Sequence, residues 1–142
     1  MTTNGNATLV RRYLKAFNER DRETMAELLA EDVVEHGLGR ELRGLEEIEG
    51  FLDAHFETFP DYSGTTDVMI AEGDVVAVRY TVSGTHTGEY EGVEPSGQQA
   101  EWSGIAMYRT EGDVIAEIWI EEDRLGLLEQ LEMLDRPGHL RL

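Results

Sequence analysis

The sequence predicts an α+β fold in which a curved, mainly antiparallel sheet wraps over N-terminal helices to form a cone. Up to Pro60 the apolar residues recur at helical intervals, and after FPDYSG the period changes to two. Two nearly identical turns, AEGDV and TEGDV, each join runs of β-branched residues through a glycine-containing hairpin. Helices first and a meander second places the helices on one side of the sheet.

The elements follow in order. ATLVRRYLKAFNERD sets Leu9, Tyr13, Leu14 and Phe17 at helical spacing, and RETMAELLAEDVV reads as a second, shorter helix with Asp21 as its N-cap. A turn-rich passage, EHGLGRELRG, precedes LEEIEGFLDAHFETF, whose Leu45, Ile48, Phe51, Leu52, His55, Phe56 and Phe59 form a third helical stripe that Pro60 ends. Four strands are expected in TTDVMIAEG, DVVAVRYTVSGT, AEWSGIAMYRTEG and DVIAEIWIEED. RLGLLEQLEML closes the fold as an amphipathic helix or half-helix, followed by a polar tail containing Pro137 and Gly138.

At 142 residues with no linker or repeat, one domain over residues 1–142 is expected. No apolar run approaches the roughly 20 residues of a membrane span, and MTTNGNATLV lacks the basic and apolar regions of a signal peptide, so a cytoplasmic protein is expected. There is no cysteine to form a disulfide, a thiol nucleophile or a thiolate metal site. Thirty Asp and Glu against 12 Lys and Arg give a net charge of −18, which argues against a nucleic-acid partner. Lys15 is the single lysine, and the carboxylates are spread along the chain, a pattern expected of a protein solvated for a salt-rich cytoplasm, with an ordinary acidic protein of a mesophile as the alternative. No phosphate loop, G-x-S-x-G elbow, H-E-x-x-H motif or paired histidines at metal-ligand spacing are found.

A cone has one apolar interior and one mouth, so polar groups at strand ends and turns are the candidate site. The order of segments also carries a resemblance. FPD at 59–61, AEGDVVAVRYTVSGTHTGEY at 71–90, EPSG at 94–97, EGDVIAEIW at 111–119, Asp123 and LLEQL at 127–131 resemble the SnoaL-like polyketide cyclases, within the nuclear transport factor two-like superfamily of cone-shaped α+β barrels. The chain departs from the usual pattern at EPSG and after QL. The resemblance implies an intramolecular aldol-type ring closure on a small, hydrophobic, oxygenated ligand, without metal or organic cofactor. It also implies a carboxylate at the end of the last strand, matched by Asp123. Read locally, Ile115, Glu117, Trp119, Glu121 and Asp123 share one face if that strand is regular, which sets Asp123 at the mouth as proton carrier; the same residue is also a plausible cap for the helix that follows.

His36, expected in a loop after the second helix, is the second catalytic candidate, at a position where the resemblance implies a cavity-facing polar residue; the alternative is a loop histidine exposed to water. His86 lies in GTHTGEY, 84–90, a corner whose glycines are expected to supply positive φ, and it either touches the ligand or holds the turn. Arg79 interrupts an apolar strand and needs either a carboxylate partner or the ligand. Trp102, Trp119, Phe56, Phe59 and Tyr108 are expected as an aromatic floor or as ordinary core, and His55 as a half-buried histidine of the helix stripe. Isomerase, dehydratase and epoxide-hydrolase chemistry, or ligand binding without turnover, remain open on the same fold. Because Val76, Val78, Tyr80, Val82, Ile118 and Ile120 look too apolar for an open sheet face, a two-fold homodimer through the sheet is expected.

Overall fold

A computed structural model describes residues 3–136 and 139–140; Pro137 and Gly138 of the polar tail lie outside them. Helix α1 spans Thr3–Glu19 and α2 Arg22–Leu28, with the Asp21 side chain accepting from the Thr24 N–H at 3.1 Å, the cap that the sequence suggests. Strand β1 (Leu29–Gly37) follows at once, then β2 (Arg40–Arg43), α3 (Gly44–Thr58), β3 (Ser63–Glu72), β4 (Val75–Thr85), β5 (Gln99–Glu111), β6 (Val114–Glu122), α4 (Arg124–Gln130), and the short β7 (Leu134–Arg136) and β8 (His139–Leu140). The second helix is therefore shorter than its helical pattern, and AEDVVEHG is a strand. The passage expected as loop is the β1–β2 hairpin, turning at Leu38 and Gly39, both at positive φ.

Six strands form one sheet in the order β2-β1-β6-β5-β4-β3. Only the β1–β6 pair is parallel. The two predicted hairpins are present, with Gly73 and Gly112 at φ 58° and 60° in their turns. Even-numbered residues of β4 and β5 point inward: Val76, Val78, Ala106 and Tyr108 join Leu9, Val10 and Tyr13 of α1 and Ile48 and Leu52 of α3 in the main core. Phe59, Val82, Trp102, Leu127 and Leu131 form a second cluster toward α4.

The residues expected on an open sheet face are thus on the inner one. Val76 and Val78 are fully buried and Ile118 nearly so. The opposite face instead exposes Val68, Ile70, Ile105 and Met107.

In β6 the alternation is interrupted. Arg109 pairs with Glu117 but the next residue, Thr110, pairs with Ile115, so Ala116 is a bulge. Ile115 points inward, and beyond the bulge Ile118, Ile120 and Glu122 do so, while Glu117, Trp119 and Glu121 turn outward. A one-residue slip moves every later side chain to the other face.

Candidate active site

Between the helices and the inner face of the sheet lies a cavity of about 540 Å³. Its walls are aromatic, with Tyr13, Phe17, Phe51, Phe59, Trp102 and Tyr108 prominent. The central polar group is Glu122. Tyr80, Gly104 and Glu122 form one cross-strand row of β4, β5 and β6. Because the middle position has no side chain, the Tyr80 hydroxyl reaches over it to donate to Glu122 Oε2 at 2.5 Å. A Cβ on Gly104 would come within 2.6 Å of that hydroxyl oxygen. Trp102 Nε1 donates to Glu122 Oε1 at 3.0 Å. One carboxylate is thereby fixed in orientation by two donors, with lone pairs left over. Burial and the Glu122 charge hold the Tyr80 hydroxyl far above the ordinary phenol range, so it remains a donor.

A second carboxylate, Glu35 of β1, also lines the cavity and is buried. Burial raises its pKa, and the Arg40 guanidinium, which donates to Glu35 Oε2 and lies 4.7 Å from the centre of the Phe51 ring, opposes that shift. At the rim, Arg124 donates to Glu91 at 2.7 Å, to the Tyr90 hydroxyl at 3.1 Å and to the Leu38 carbonyl at 3.3 Å, tying α4 to two loops. His55 lines the helix side, stacked on Phe51 and edge-on to Tyr62, and burial lowers its pKa to about 4.

Of the residues singled out from sequence, Phe59, Trp102, Tyr108 and the helix-stripe His55 line this cavity. Asp123, His36, His86, Arg79, Trp119 and Phe56 do not. Asp123 is the N-cap of α4, accepting from the Gly126 N–H at 2.9 Å, and borders a shallow outer depression with Arg79, Ser103 and Ile105. The bulge at Ala116 corrects the shared face assumed for it: the inward carboxylate is its neighbour Glu122. His36 also faces outward, between Glu117 at 2.6 Å and Glu41 at 3.2 Å, and stacks on Trp119 with ring centroids 5.7 Å apart. Its hydrogen bond is the leading cause of a lowered Glu117 pKa. Arg79 pairs with Asp67 at 2.5 Å on the same outer face. Phe56 packs against Phe17 and under the Arg20 guanidinium, away from the cavity lining.

His86 is fully buried beside Phe59 and Tyr90. Its Nδ1 accepts from the Ser96 N–H at 3.1 Å, which leaves the ring proton on Nε2, and its backbone exchanges hydrogen bonds with Gln98 and Gly97. It anchors the loop between β4 and β5. The glycines of GTHTGEY serve close approach and not positive φ: a Cβ on Gly88 would sit 2.3 Å from the Glu57 carbonyl oxygen, and one on Gly84 3.0 Å from Phe59 Cβ.

Sequence reasoning missed Glu122, Glu35, Arg40, Tyr80 and Arg124. The signal in the sequence was a glycine, Gly104, inside a strand pattern, which marks a close approach of other groups; which groups approach it depends on the register. Among the described residues no group of three or more His, Asp or Glu is placed to hold a metal ion, and no helix is long and apolar enough to cross a membrane.

Comparison with known proteins gives a consistent set. The family described as SnoaL-like polyketide cyclase matches over residues 7–131. AclR from Streptomyces galilaeus, a proposed hydroxylase, is 26% identical with a TM-score of 0.85 over 95% of this chain and 85% of its own. IdmH from Streptomyces antibioticus, a proposed polyketide cyclase, is 31% identical with a TM-score of 0.78 over 89% and 98%. TsrD from Streptomyces laurentii is 29% identical with a TM-score of 0.81 over 92% and 97%. A comparison with proteins of curated function gives no match.

Proposed function

Since the chain belongs to the SnoaL-like polyketide cyclase family, we propose that it is an acid/base enzyme that closes a ring by an aldol-type step on a small, hydrophobic, oxygenated ligand. The observation that carries this reading is the Glu122 carboxylate held by Tyr80 and Trp102 inside an aromatic cavity. Such a step needs a base against an acidic C–H, a donor for the developing enolate oxygen, and walls that hold the chain folded. Glu122 is the base in this reading, Tyr80 orients it, and the aromatic walls exclude water. The reaction asks no redox change of the protein, because the proton taken from carbon is returned to the alkoxide that forms.

The test is a paired substitution. Oxygenated aromatic and polyketide-like methyl esters are screened by thermal shift, and turnover of those that bind is followed by mass spectrometry. Glu122→Gln is expected to lower turnover by about two to four orders of magnitude. Asp123→Asn is expected to leave it near the parent rate, since Asn caps a helix about as well as Asp. The reverse outcome would return the proton-transfer role to Asp123. Binding without any turnover in the parent protein would instead identify a ligand-binding member of the family, and product of an isomerisation, dehydration or epoxide opening would identify a different proton chemistry in the same cavity.

A further inference from the structure

Three phenol groups stand in the cavity wall. Tyr13, Tyr62 and Tyr108 line the cavity, and among the described residues none of their hydroxyls has a hydrogen-bond partner. Nor are they sealed among carbon atoms: the buried side-chain atoms in that condition are Asn6 Oδ1, Arg40 Nε and His86 Nε2. Yet Tyr13 and Tyr108 are only 3% and 5% exposed as residues. Tyr13 and Tyr108 therefore bury their rings in the cavity wall while their hydroxyls keep some access, and the half-buried Tyr62 lines the same cavity. Tyrosine at such a position carries a desolvation cost that phenylalanine would not, which is expected where the hydroxyl meets a ligand.

The three residues come from different elements: Tyr13 from α1, Tyr108 from β5, and Tyr62 from the segment between α3 and β3. The rings of Tyr13 and Tyr108 lie 6.0 Å apart at 61°, and Tyr62 stands edge-on to His55 at 4.5 Å. Burial raises the pKa of all three, so they stay protonated donors. The two carboxylates nearby already have donors, Glu35 from Arg40 and Glu122 from Tyr80 and Trp102.

We infer that the hydroxyls of Tyr13, Tyr62 and Tyr108 bind the carbonyl or hydroxyl oxygens of the ligand and select for its oxygenation pattern. This rests on the reading of the cavity as a ligand site; the three tyrosines bind the ligand, and Glu122 moves the proton. The ligand is accordingly a molecule with several oxygen substituents rather than a hydrocarbon of the same shape.

Single Tyr→Phe variants at 13, 62 and 108 test this with 5,8-dihydroxy-1,4-naphthoquinone as probe and naphthalene as the unoxygenated comparison, by titration calorimetry. The parent protein is expected to bind the quinone at least tenfold more tightly than naphthalene. At least two of the three variants should weaken quinone binding about five- to tenfold, the effect of one lost hydrogen bond in a dry site, with naphthalene binding unchanged. Melting temperatures of the unliganded variants should stay level or rise, because no internal partner is lost. Equal affinity of parent and variants for the quinone, no preference of the parent for the quinone, or a fall of several degrees in melting temperature would each overturn the inference. Glu122→Gln distinguishes the two readings. If it leaves turnover intact while the Phe variants lose binding, the proton-transfer assignment fails and this one stands.

Discussion

At His55 burial sets the charge of a side chain. Its imidazole stacks on Phe51 with centroids 5.6 Å apart and meets Tyr62, Phe17 and Phe59 edge-on, and no described residue hydrogen-bonds to the ring. Burial, with the Arg20 charge adding to it, lowers the pKa from 6.5 to about 4. The sign follows: the unfolded chain binds a proton at this residue below pH 6.5 and the folded chain does not until about pH 4. Its contribution is complete above pH 6.5 and is lost as pH falls toward 4, on the order of 3 kcal/mol across that window. Glu35, whose pKa is raised, works in the opposite direction over the acidic part of the range. Comparing the parent with His55→Phe removes the Glu35 contribution, which both proteins share. Urea unfolding at pH 7, 5.5 and 4.5 should show the parent losing stability relative to the variant on acidification. A stability difference that did not change with pH would mean that His55 titrates normally.

At the scale of elements, the site is made by a glycine and a bulge. Gly104 brings Tyr80 and Glu122 together across β5, and a methyl group there would lie 2.6 Å from the Tyr80 oxygen and 2.8 Å from the Glu121 carbonyl. Gly104→Ala is therefore expected to displace the tyrosine, to destabilise the fold by about 1–3 kcal/mol as overpacking does, and to lower turnover at least tenfold by misaligning the carboxylate. Retained turnover together with an unshifted melting temperature would show that the row tolerates a side chain. The bulge at Ala116 has the complementary role. It lets Ile115 remain in the core while aiming Glu122, and not Asp123, at the cavity, and Asp123 is left to start α4.

For the whole molecule the outer sheet face and the charge act together. Ile70 and Ile105 are 62% and 54% exposed there, beside Val68 and Met107. The same face carries the His36, Glu117 and Arg79, Asp67 pairs, so it is an apolar strip with charged flanks. We propose that a second copy of the chain covers it as a two-fold dimer, and that the charge of −18 makes this assembly dependent on salt. Light scattering in molar salt should give twice the 16.0 kDa chain mass, and Ile105→Arg should give the single chain. The melting temperature of the parent should rise from dilute buffer to molar salt. A parent protein that is monomeric in high salt would exclude this interface.

The sequence by itself determined the α+β class, the three helices α1, α3 and α4, the strands β3 to β6 with both hairpin turns, the Asp21 cap and the family. Each of these depends on local spacing or turn chemistry, which one window of residues contains. It also nominated Phe59, Trp102 and Tyr108 as aromatic residues of the site. The strand character of AEDVVEHG was hidden because β1 gains its hydrogen bonds from β6, whose paired residues lie more than 80 positions away; a helical pattern in α2 ran on into it. The identity of the cavity carboxylate was hidden by one extra residue in β6, since alternation fixes a face only while the strand is regular. Which groups face the cavity, Glu35, Tyr80, Gly104 and Glu122 among them, was decided by the register between strands, and no run of neighbouring residues encodes that register alone.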